Sequence, residues 1–233
     1  MVLKTVQACS TDSAGFERCD DRPALLGLGR RRRVAPHPAR WDRHSGQNSG
    51  IGGTGRPISN GPFQANVFRV RIESNAFAAL RTTDRGLNRE LGADPDAPTL
   101  PTPASEVDAL GQSPYDIAPW SRASLGFRNR LEGWLPFGMH NQVHVWIGGD
   151  VGPATSPNDP VFYLNHCNVD RIWEAWLVNQ GRTYVPSQSE SAQLAMHRLN
   201  DPMYSILISQ PTTPAQMLDV SQFYTYDLLP STG

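Results

Sequence analysis

His140 and His144 stand four residues apart in the run Met139-His140-Asn141-Gln142-Val143-His144-Val145-Trp146-Ile147, and His166 follows twenty-two residues later. On an α-helix, side chains four apart lie one turn above each other on one face. Two neutral imidazoles held that way can bind one borderline ion such as Zn or Cu. Val143 and Ile147 continue that face, and Gly148-Gly149 is a natural helix stop. The spacing alone is weak evidence, because most such pairs are structural. Asn141 occupies the place of the Glu in a His-Glu-x-x-His metalloprotease motif, so that chemistry is excluded.

The second element runs from Ser156 to Trp176. Ser156 and Asp159 are spaced as a capping box, and Pro157 suits a first helical position, which predicts a helix starting there. Phe162, Val169, Trp173 and Trp176 recur at helical spacing with His166 in the gap, so His166 faces the core. A single core histidine is ordinarily satisfied by a hydrogen bond. Three are costly to bury unless they share a purpose, and one metal ion is such a purpose. Asp170, one turn on, could orient a ligand histidine or pair with an arginine.

Three blocks together carry a resemblance. They are Phe127-Arg128-Asn129-Arg130-Leu131-Glu132-Gly133-Trp134, His140-Asn141-Gln142-Val143-His144-Val145-Trp146, and Ser156 to Trp176 with its Asn-Asp-Pro-Val-Phe and Asp-Arg-Ile-Trp. They closely resemble the second copper-binding half of bacterial tyrosinases, members of the type 3 copper family. The resemblance implies a mainly α, tyrosinase-like helical bundle with long loops and little strand, and a dicopper oxidase with three histidines on each copper. His140, His144 and His166 match the ligands of the second copper (CuB). Glu132 and Asn141 fall where the family has a Glu and an Asn holding a water proposed to take the phenolic proton. A placed carboxylate is a sensible base for a phenol that must ionise to bind copper. Asn165 stands where many members have a second histidine before the ligand.

The implied activity is an oxidoreductase, monooxygenase chemistry included. It hydroxylates monophenols and oxidises o-diphenols to quinones with O2, as in melanin biosynthesis. A copper-delivery (caddie-like) protein or a complementing chain is the implied partner. The departure lies in the first copper site (CuA). The chain has six histidines, and beyond the three named only His37, His44 and His197 remain. His37 and His44 sit among Pro, Arg and Gly, and His197 precedes Asp201-Pro202. One copper at the CuB-like site is therefore expected, with no visible ligands for a second. The alternative is a truncated, inactive mononuclear remnant, or a half-molecule needing a partner chain.

Size and charge bound the rest. With 233 residues and net charge −1, the chain suits one sizeable domain and offers no electrostatic footprint for nucleic acid. No run reaches the ~20 apolar residues of a membrane span. No secretory signal is readable at the N-terminus, which makes the cytoplasm the default location. Cys9, Cys19 and Cys167 form no disulfide framework.

Residues 1–49 carry nine basic and five acidic side chains, Arg30 to Arg33 among them, and read as a poorly ordered basic segment unlike the family. The tyrosinase-like domain is expected over residues 50–230. Within it, residues 67–72 suggest a strand, and residues 80–91, 106–110, 121–134, 189–199 and 214–218 suggest helices. Phe223-Tyr224-Thr225-Tyr226 resembles the Tyr-x-Tyr element closing the tyrosinase domain.

Overall fold

The computed structural model describes residues 57–58, 62–72, 81–134, 136–153, 155–191, 197–205 and 208–231. The expectation for residues 1–49, including His37 and His44, falls outside them. Helix dominates the described part, in the order β1 (Val70–Ile72), β2 (Arg81–Thr83), α1 (Pro103–Gly111), α2 (Phe127–Glu132), α3 (Met139–Ile147), α4 (Val161–Gln180), β3 (Met203–Ser205) and β4 (Ile208–Thr212). The strands form two separate antiparallel pairs, β1 with β2 and β3 with β4. The chain is mainly α, with long connections and little strand, as the sequence suggests.

Local chemistry accounts for the helix ends. Thr102 and Ser105 cap α1 reciprocally, with Pro103 at its first turn. At the end of α3, Gly148 and Gly149 both take positive φ, +61° and +53°. A Cβ at Gly149 would collide with the Asn88 backbone, so the glycine permits two chain segments to touch. α4 stops at Gly181 in the left-handed conformation.

Four helical expectations need correction. Residues 81–91 are not a helix. Arg81–Thr83 pair with β1, and residues 88–92 run beside the end of α3 through Glu90 N→Ile147 O (2.8 Å) and Gly92 N→Trp146 O (2.7 Å). Tertiary partners outcompete local propensity there, because Arg85 and Arg89 each reach a buried carboxylate. Helix α2 covers only Phe127–Glu132, since Ser121 N bonds Ser124 Oγ (2.7 Å) in a turn and Gly126 adopts φ +150°. The long metal-side helix begins at Val161, not Ser156. Ser156–Asn158 form a 3-10 turn, and Asp159, extended and held by Arg89, caps the helix through Val161 N (3.0 Å). Residues 214–217 form a 3-10 turn, and residues 192–196 of the expected 189–199 helix lie outside the described set.

The core lies between α1, α2, α3 and α4. Leu110, Phe127, Leu131, Val143, Ile147, Ile172, Trp176 and Leu177 all lose nearly all solvent contact. Phe127 stacks on Trp176 with centroids 4.7 Å apart, and the Trp176 indole donates to Gln112 O at 2.7 Å. That pair locks α2 and the end of α1 against α4. The bidentate pair of Arg89 with Asp159, at 2.6 and 2.7 Å, is almost fully enclosed and ties the 85–92 segment to the start of α4. A single substitution there strands a buried charge. We expect Arg89→Ala or Asp159→Ala to destabilise the fold by about 3–5 kcal/mol in chemical denaturation. The double change Arg89→Met with Asp159→Leu should recover most of that loss.

Candidate metal centre

The three sequence-selected histidines come together. Their nearest ligand atoms lie within 4.8 Å of one another. Nε2 of His166 is 3.1 Å from Nε2 of His140 and 3.4 Å from Nε2 of His144. Helix α3 supplies two rings from successive turns, and α4, packed against it, supplies the third.

Each ring is oriented differently. Nδ1 of His144 lies 2.7 Å from the Val151 carbonyl oxygen. A carbonyl only accepts, so Nδ1 carries the proton and Nε2 of the neutral ring presents a lone pair. The ring of His166 packs at 4.0 Å against Phe162, one turn earlier, while its buried Nδ1 has no hydrogen-bond partner. Packing against Phe162 and the approach of Nε2 to the other two rings set its orientation, with no hydrogen bond at Nδ1. The main chain of His140 is tied to α4 by Asn165, whose amide donates to the His140 carbonyl at 3.3 Å. Asn165 thus links the two helices at the point where the sequence departs from the resemblance.

Burial drives all three imidazoles toward the neutral form. His140 is pushed down to about 3 and His166 to about 4, chiefly by desolvation and then by the neighbouring rings. His144 is lowered by desolvation, partly opposed by its bond to Val151. Three uncharged rings aiming nitrogens at one point match the donor set of a borderline divalent or cuprous ion, and they could hold one such ion.

Glu132 and Asn141 are neighbours, but through the main chain. The Asn141 amide donates to the carbonyls of Glu132 (2.5 Å) and Gly133 (2.8 Å), fastening the end of α2 to α3. Both amide protons are engaged there, which leaves Oδ1 as an acceptor. The Glu132 side chain lines a cavity of about 150 Å³ with Tyr115, Val169, Trp173 and Tyr184, and burial raises its carboxyl above the usual range. Asp170 takes a third course. The hydroxyls of Tyr224 and Tyr226 both donate to its Oδ2, so the Tyr-x-Tyr segment is fastened onto α4. His197 is exposed and stands apart from the cluster.

Sequence reasoning missed the Val151 carbonyl and the Phe162 ring contact. The first is a backbone atom and leaves no side-chain signature. The second was visible as Phe four residues before His166, the one-turn spacing that brings side chains into contact.

Residues 29–179 match the common central domain of tyrosinase. A tyrosinase of Streptomyces glaucescens is 39% identical over 186 residues, covering 76% of this chain and 62% of the relative. A tyrosinase of Streptomyces antibioticus is 36% identical over 187 residues, with the same coverage. A grixazone synthase of Streptomyces griseus is 33% identical over 222 residues, 80% of this chain and 70% of the relative. The chain thus spans about three fifths of the length of the first two relatives.

The lowered histidines give a signed pH dependence for the metal-free protein. Their folded values lie below the unfolded value near 6.5, so the unfolded chain binds more protons in that window. We expect stability in urea to be at its full value above about pH 6.5 and to fall as the pH drops toward 4. His140→Gln with His166→Gln should flatten that fall, and an unchanged slope would contradict buried neutral rings.

Proposed function

On the premise that the chain belongs to the tyrosinase family, we propose that it is a copper oxidoreductase acting on phenols and o-diphenols with O2. The observation that carries this reading is the meeting of three neutral imidazole nitrogens on two packed helices. Three imidazoles suit zinc as well as copper, and kinship with tyrosinases favours copper. Bound copper supplies the one-electron and dioxygen chemistry that protein side chains lack.

In this reading His140, His144 and His166 hold the ion, and the Val151 carbonyl keeps His144 in the ligating tautomer. Glu132 takes the phenolic proton, transferred from the substrate hydroxyl to its carboxylate. Its raised pKa makes it a stronger base than a solvated glutamate once ionised. Asn141 Oδ1 can accept from a water on that route, and its amide keeps α2 in place.

A second reading is a half-site. The described residues carry one group of three metal-competent side chains. A chain holding a single copper would need a complementing chain, or a copper-delivery protein, before it turned over phenols. The domain boundary proposed near residue 50 belongs with this reading, and the family match itself begins earlier, at residue 29.

Copper per chain and oxygen consumption with an o-diphenol separate the two. Two coppers with turnover support the oxidase acting alone, and one copper without turnover supports the half-site. Under both, His166→Ala should abolish copper uptake, and unchanged metal content would defeat the ligand assignment. If the loaded protein turns over, Glu132→Gln should lower phenol turnover by about 10²–10⁴-fold at unchanged copper content.

A further inference from the structure

His144 owes its tautomer to the Val151 carbonyl, and the position of that carbonyl is itself set from outside the helix pair. Val151 ends a three-residue 3-10 turn, Gly149–Val151, directly after α3. The residue beside it, Asp150, is buried and accepts three hydrogen bonds. Arg85 gives two, Nη1 to Oδ2 at 2.8 Å and Nη2 to Oδ1 at 2.5 Å, and the Asn88 backbone gives the third to Oδ2 at 2.7 Å. Asp150 N in turn donates to Asn88 O at 3.0 Å. A planar guanidinium on a carboxylate fixes distance and direction together. The turn cannot rotate without breaking that fork.

We infer that Arg85 and Asp150 are positioning residues for the metal centre. They clamp the turn after α3 so that the Val151 carbonyl meets Nδ1 of His144 and leaves Nε2 bare toward the other two rings. The inference rests on the metal-site reading for its functional meaning, but the clamp and the tautomer exist without an ion. Arg85 lies far from the metal helices in sequence and touches none of the three histidines in the contacts described.

The test uses the full chain, metal-free, with ¹⁵N-labelled histidine, followed by titration with copper(II). In the parent protein the His144 imidazole should give the ¹⁵N signature of a single Nδ1–H tautomer. Arg85→Ala should give a mixture of both tautomers and weaken copper(II) binding about 10–100-fold, the range for loss of a ligand-orienting partner. Arg85→Lys should restore part of the affinity, because one ammonium can satisfy only part of the carboxylate. Asp150→Asn tests the other side, and it carries the test with Arg85→Lys if circular dichroism shows Arg85→Ala to be unfolded. Arg69→Ala removes a neighbouring but exposed pair with Asp84 and should change neither readout.

Folded Arg85→Ala or Asp150→Asn protein with parental His144 signals and parental affinity would overturn the inference. A parent chain that binds no copper, yet changes tautomer in Arg85→Ala, would overturn the metal reading and uphold the clamp.

Discussion

Three uncharged imidazoles meeting at one point, two of them buried and His140 half-buried, is the constraint that shapes the described fold. With Nδ1 of His144 carrying its proton, its Nε2 faces the other rings with a lone pair and no proton to offer. Such a meeting has little to hold it together without a cation, so the surrounding structure must keep the rings close. It does so with a continuous apolar contact among α1, α2, α3 and α4 and with the stacked rings of Phe127 and Trp176. Asn165 and Asn141 then pin α3 to α4 and α2 by amide-to-carbonyl bonds.

Around that core the ion pairs divide by depth. Arg69 with Asp84 is exposed, and pairs of that kind contribute about 0–1 kcal/mol. Arg89 with Asp159 is enclosed, and Arg85 with Asp150 nearly so on the carboxylate side. In a low-dielectric setting the geometry of these two is rigid, because any looser arrangement leaves charge without solvent. Both arginines come from one non-helical segment. One fixes the start of α4, the other the turn after α3. That segment braces the two helices from which the three rings project.

The C-terminal Tyr224 and Tyr226 add a further tie. Their hydroxyls converge on Asp170, one turn beyond His166, and burial beside that carboxylate holds both phenols well above their usual titration range. Asp170 is therefore engaged with the closing segment through its Oδ2. This is architecture in service of chemistry: the ligand helix α4 is gripped at its start, at its middle and on its core face.

Much of this was legible in the residues. The four-residue spacing of His140 and His144, the helical placement of His166 among large apolar side chains and the Gly148-Gly149 stop are local patterns with periods short enough to read along a chain. They were sufficient to single out the three rings that meet, while the mainly α fold was what the resemblance to tyrosinases implied. The chain could not announce that residues 81–91 forgo a helix, that Asp159 rather than Ser156 caps α4, or that a carbonyl at Val151 selects the tautomer of His144. Those outcomes depend on partners tens of residues away and on backbone atoms that every residue possesses. A periodic pattern records which face is apolar, while long-range polar pairing is decided only when the packed helices bring donors and acceptors within reach.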